Sequence, residues 1–132
     1  TMQIHQSAED YLETILMLNQ RMGRVRSIDV VNELGYTKAS VSIAMKKLRE
    51  NGYIAVDGEG NLTLLEPGRE IAERIYSRHR LLTHFFVQLG VDEEVAAEDA
   101  CKAEHILSEQ TLEKIREYAL LHDAEGSVQK SE

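Results

Sequence analysis

Gly35-Tyr36-Thr37-Lys38-Ala39-Ser40-Val41-Ser42-Ile43-Ala44-Met45-Lys46-Lys47-Leu48-Arg49-Glu50-Asn51-Gly52 is the stretch that decides the fold. Gly35-Tyr36 makes a tight turn and Thr37 caps a helix over 38–51. Val41, Ala44, Met45 and Leu48 form its apolar stripe, and Gly52 supplies a left-handed stop. Upstream, Ser27 is expected to cap a short helix carrying Ile28, Val31 and Leu34. Before that, Ser7-Ala8-Glu9-Asp10 opens a helix in capping-box form, with Tyr11, Leu12, Ile15, Leu16 and Leu18 at helical spacing to about Met22. Downstream, residues 53–56 and 61–65 flank Asp57-Gly58-Glu59-Gly60 and read as a β-hairpin. Two short helices joined by a glycine turn, the second followed directly by a hairpin, have the order of a winged helix-turn-helix.

The remainder is helical. Pro67-Gly68 is read as the break after the second strand. Residues 69–89 then sustain a helix through Ile71, Ile75, Leu81, Leu82, Phe85, Phe86 and Leu89, ending at Gly90. Asp92 caps the next, with Val95, Ala96, Ala100, Ala103 and Leu107 inward, and Ser108 starts the last through Leu112, Ile115 and Ala119. Periodicity is lost after His122. The expected architecture is mainly α, with a winged helix-turn-helix DNA-binding domain at 1–68, a helical dimerisation and metal-binding domain at 69–122, and a flexible tail at 123–132. Val95, Leu107, Leu112, Ile115, Tyr118 and Leu121 exceed what one spine helix can cover, so a symmetric homodimer is expected.

Net charge is −8 over 132 residues, which would argue against a nucleic-acid binder if it were evenly spread. It is not: residues 1–20 carry −3, residues 21–56 carry +4 and residues 57–132 carry −9. The basic island coincides with the helix-turn-helix. On its third helix Thr37, Lys38, Ser40 and Ser42 can enter a major groove, while Lys46, Lys47 and Arg49 stand where phosphates would be. Only Lys38 suits guanine, which implies help from DNA shape or dimer spacing. No apolar run is long enough for a membrane span or a secretory signal, so the chain is read as cytoplasmic, with no membrane partner.

Cys101, Glu104 and His105 fall at i, i+3 and i+4 of a helix, Asp10 and Glu13 share a face of the first helix, and His79 lies on the spine helix. Thiolate, carboxylate and imidazole together suit a late first-row divalent ion, whereas carboxylates alone would suit Mg²⁺ or Ca²⁺. Spacing leaves alternatives: Cys101 also reads as core filler or as a reactive thiol, and Asp10 and Glu13 as solvated helix-start acids. A hydrolase would need a general base and substrate cleft beyond these ligands, and none is left over, so the chain is read as a regulator without a small-molecule substrate. A metal-free winged-helix regulator sensing an organic ligand is the other rival.

Three segments, Ser7-Ala8-Glu9-Asp10-Tyr11-Leu12-Glu13-Thr14-Ile15, Arg78-His79-Arg80-Leu81-Leu82 and Ala100-Cys101-Lys102-Ala103-Glu104-His105-Ile106-Leu107-Ser108, resemble those of the diphtheria toxin repressor family, including its shorter manganese transport regulator branch. The similarity runs in order to about His122. It implies a homodimeric repressor that binds Fe²⁺ or Mn²⁺ and then a palindromic operator on double-stranded DNA controlling metal-uptake genes. Co²⁺, Ni²⁺ or Zn²⁺ would also bind in vitro.

By the same resemblance Asp10, Cys101, Glu104 and His105 match the main activating site. Asp10 is as in the manganese branch, where the iron branch has Met. Cys101 is as in the iron branch, where the manganese branch has Glu. Glu13 and His79 match the manganese branch's neighbouring ion, but its bridging carboxylate has become Cys101, which leaves one or two ions per chain. Thr83 and Ala97 stand where the iron branch's ancillary site has Glu and His, so that site is not expected. The chain resembles the two-domain form, without the iron branch's additional SH3-like domain. The ligands fall on the first helix and on the dimerisation part, so metal is expected to restrict domain orientation and set the spacing of the two readers.

Overall fold

The computed structural model describes residues 6–130, with side-chain surroundings for 6–123. Helices α1 (Gln6–Met22), α2 (Ser27–Leu34) and α3 (Lys38–Glu50) precede strands β1 (Ile54–Val56) and β2 (Leu62–Leu64), followed by α4 (Glu66–Gln88), α5 (Glu93–Ala103) and α6 (Glu109–Lys130). The chain divides into two compact units, Thr1–Ile75 and Tyr76–Glu132. The division falls within α4.

In the first unit α1, α2 and α3 pack on one another, and α1 and α3 also meet the hairpin. Leu12, Ile15, Leu18, Val25, Val30, Val41, Leu48 and Ile54 are buried there. The strands are antiparallel, with Ile54 opposite Leu64 and Val56 opposite Leu62, and both ends of β2 bury a leucine while Thr63 faces out. The hairpin turn is held by Asp57, whose Oδ1 accepts the N–H groups of Glu59 and Asn61 and whose Oδ2 accepts from Asn61 Nδ2. Those donors hold the Asp57 carboxyl below its usual range.

Several expected boundaries move. Helix α1 begins at Gln6, so Ser7 lies inside its first turn. The N-cap of α2 is Arg26 rather than Ser27, because the Asp29 carboxylate reaches back to accept the Arg26 N–H at 2.9 Å. Pro67-Gly68 does not precede α4 but forms its first turn, where proline's missing N–H has no helical acceptor to lose. Gly68 answers a tertiary demand: a Cβ there would collide with the Tyr53 backbone carbonyl just before β1.

The second unit is built on Leu82, Ala100 and Leu112, with Leu81, Phe86, Ala103, Leu107 and Ile115 packed around them. Ala96 and Ala100 are buried as expected, but Val95 is exposed, because burial on α5 follows the i, i+4 pair of alanines. Leu107, Leu112 and Ile115 are spent on this protomer core, which leaves Val95, Tyr118, Leu120 and Leu121 outward. Ser108 caps α6, its Oγ accepting the Thr111 N–H at 3.1 Å. The helix continues past His122 to Lys130, so the segment read as a tail is helical where described.

Candidate metal centre and nucleic-acid interface

Helix α5 ends at Ala103, short of Glu104 and His105, so the three expected ligands do not share one helix. Glu104 nevertheless keeps right-handed helical angles, φ −59 and ψ −24, and donates its N–H to Ala100 O at 2.9 Å. Its side chain therefore continues the buried Ala96–Ala100 row, and a carboxylate oxygen comes within 4.8 Å of Cys101 Sγ. His105 lies in the turn beyond.

The Glu104 carboxylate is 0% exposed. His79 Nδ1, from α4, stands 3.0 Å from Oε2, and His105 Nε2 stands 3.4 Å from Oε1. The second approach lacks hydrogen-bond geometry, and Oε1 has no hydrogen-bond partner. Burying a carboxylate on such terms costs stability unless a cation compensates it. An oxygen without a hydrogen bond, an imidazole beside each oxygen of the carboxylate and a sulfur within 4.8 Å of it are donor types that suit a divalent transition ion better than Mg²⁺ or Ca²⁺. If His79 donates through Nδ1, its Nε2 lone pair is left for ligation.

Cys101 is exposed, unlike Ala96 and Ala100, so it does not fill the core. Arg78, to which sequence reasoning gave no role, donates from Nη1 to the Glu104 carbonyl at 3.3 Å and also pairs with Glu109. It ties α4 to the turn that carries both Glu104 and His105. The one hint in the sequence was its place beside His79.

Asp10 and Glu13 lie on α1 in the first unit, Asp10 half-buried and Glu13 buried within the apolar run. The hydroxyl of Tyr11 is raised above its usual pKa by burial first, and then by Tyr36 and Asp10. Its ring meets Tyr36 edge-on at 5.9 Å.

On α3 all six expected DNA-contact residues, Thr37, Lys38, Ser40, Ser42, Lys46 and Lys47, are exposed on or beside one helix whose other face is the core. Two are partly committed. Thr37 Oγ1 accepts the Ser40 N–H at 3.1 Å as the helix cap and lies 2.9 Å from Ser40 Oγ, so these hydroxyls serve the backbone and each other. Ile43, also on this helix, was not singled out from the sequence, and it too is exposed.

Residues 3–62 match the family model described as iron dependent repressor, N-terminal DNA binding domain, and residues 65–121 match its companion, metal binding and dimerisation domain. An uncharacterised HTH-type transcriptional regulator of Methanocaldococcus jannaschii is 36% identical over 113 residues, covering 84% of this chain and 90% of the relative. The HTH-type transcriptional regulator MntR of Bacillus subtilis is 35% identical over 109 residues, covering 83% and 77%. Among solved structures, a manganese-dependent transcriptional repressor in complex with manganese superposes with a TM-score of 0.78 at 28% identity, over 85% of this chain and 52% of that one. IdeR of T. acidophilum, at 23% identity and a TM-score of 0.77, shares the fold over 89% and 55% of the two chains. The chain spans about half the length of these two structural neighbours.

Proposed function

Because the chain belongs to the iron-dependent repressor family, we propose that it is a transcriptional repressor with Fe²⁺ or Mn²⁺ as corepressor, acting as a homodimer on a palindromic operator of metal-uptake genes. The observation that carries the metal dependence is the fully buried Glu104 carboxylate between His79 and His105, with one oxygen lacking a hydrogen bond. Its activity is regulatory rather than catalytic, and its place is the cytoplasm, where the operator is. No described helix is long and apolar enough to cross a membrane.

Asp10, Cys101, Glu104 and His105 are assigned as ligands of the activating ion, with Glu13 and His79 beside it for a second. The motif match around Tyr11 and around Glu104-His105 supports this set, as does the approach of His79, Cys101 and His105, each to the Glu104 carboxylate, within the second unit. When bound, the ion supplies positive charge that offsets the carboxylates. The chain's own residues do the rest: Arg78 fixes the turn bearing Glu104, and Lys46 and Lys47 neutralise phosphates. Asp10 and Glu13 belong to the DNA-binding domain at 1–68 and the other ligands to the domain at 69–122. Occupancy of the site thereby selects among separations of the two α3 helices in a dimer, and metal and DNA raise each other's affinity. The exposed Val95, Tyr118, Leu120 and Leu121 are available to the homodimer.

Operator binding across a metal series at fixed salt tests this reading. Chelated protein should bind poorly and gain affinity with Mn²⁺, Fe²⁺ or Co²⁺. Affinity unchanged by saturating metal would overturn it and favour a metal-free regulator.

A further inference from the structure

One side chain on the outer surface of α3 does not suit a solvated helix face. Ile43 is 59% exposed, although Val41 and Met45, two residues to either side, are buried. At about 100° per residue it points roughly 160° away from each, so no rotamer returns it to that core. Its neighbours on the open side are Ala39 and Ser42 before it and Lys46 and Lys47 after it, all exposed. It also walls a shallow hollow of about 260 Å³ that includes Ala8, Tyr11, Ala44 and Leu48 and is edged by Lys47.

An apolar point flanked by two lysines, in a chain of net charge −8, complements a polyanion that itself presents apolar groups. The major groove of duplex DNA does so at the 5-methyl of thymine. The Thr37 and Ser40 hydroxyls on the same helix are engaged with each other and with the cap, which weakens polar readout there. We propose that Ile43 is a specificity-determining residue that reads thymine 5-methyl groups in the operator. This deepens the DNA-binding reading above and rests on it.

The test takes the full chain with Mn²⁺ and the duplex that it selects from a randomised library. Each dT is replaced in turn by dU, which deletes one methyl and keeps every Watson–Crick hydrogen bond. Wild-type protein should lose about fourfold in affinity at one or more positions, the worth of one buried methyl. Ile43→Ala should bind the dT duplex about that much more weakly and lose nothing further on dU. Wild-type affinity indifferent to dU at every position would overturn the proposal, as would an Ile43→Ala protein that keeps the full dT/dU difference. A change of sedimentation mass in Ile43→Ala, with equal losses on both duplexes, would assign the residue to a protein contact instead. If no duplex is enriched with Mn²⁺ over chelator, the repressor reading itself fails, a result distinct from metal-dependent selection that ignores the methyl.

Discussion

Replacing Glu104 by glutamine should reverse the stability ranking of the protein with and without metal. The wild-type carboxylate is fully buried, meets His79 Nδ1 at 3.0 Å through one oxygen and leaves the other without a hydrogen bond. A glutamine of the same shape can accept from His79 Nδ1, and although its amide N–H is left unpaired where Oε1 stood, it brings no charge that must be taken out of water. An unsatisfied buried group costs about 1–3 kcal/mol when neutral and more when charged, so metal-free Glu104→Gln should be more stable than metal-free wild type, by a difference on the order of 1–3 kcal/mol. At about 4 °C per kcal/mol for a domain of this size, Tm rises by roughly 4–12 °C. With metal the order inverts. An ion at a thousandfold excess over its Kd stabilises the wild type by about 4.1 kcal/mol, and the amide, a poor ligand for the ion, forfeits most of that gain. Thermal unfolding followed by circular dichroism, in chelator and in saturating Mn²⁺, reads both effects. A variant that melts below the wild type in chelator, or that gains as much from Mn²⁺, would refute the argument that this carboxylate is held for an ion at the expense of the fold.

Lys46→Ala or Lys47→Ala should weaken binding to all duplexes alike and reduce the salt slope by about one per chain, whereas substitutions at Lys38 should change operator preference; titration of two unrelated duplexes against salt distinguishes the cases. Gly68→Ala should lower stability by about 1–3 kcal/mol, because its Cβ would strike the Tyr53 carbonyl. Gly58→Ala, with nothing within 4 Å of the added atom, should stay within about 0.5 kcal/mol in the same melts. Cys101→Glu should move activation toward Mn²⁺, since a carboxylate is harder than a thiolate. The wild-type protein loaded with Co²⁺ should show a thiolate charge-transfer band that the variant lacks, and its absence in the wild type would remove Cys101 from the site.

Local rules carried the sequence reading as far as local physics decides the structure. Thr37, Gly52 and the row Val41–Met45–Leu48 place α3 because cap, stop and period all act within one helix. Pro67-Gly68 misled for the opposite reason. As a dipeptide it is a breaker, yet proline is tolerated in a first helical turn, and the glycine answers a backbone carbonyl 15 residues earlier, at Tyr53. Arg78 was invisible on similar grounds, since its partner Glu104 is 26 residues away and no period links them. The proposed metal ligands were partly legible from spacing and resemblance, with Cys101, Glu104 and His105 at i, i+3 and i+4 and Asp10 and Glu13 on one face of the first helix, whereas the burial of two of them was not. Glu104 continues the row Ala96, Ala100 at i+4, where the helix pattern calls for an apolar side chain, and Glu13 is buried inside the run Tyr11 to Leu18. A carboxylate at an inward position is disfavoured by burial alone. Where two of them are buried, a bound cation would remove a cost that the fold otherwise bears, and that conflict between local rule and local residue becomes visible only once their burial is known.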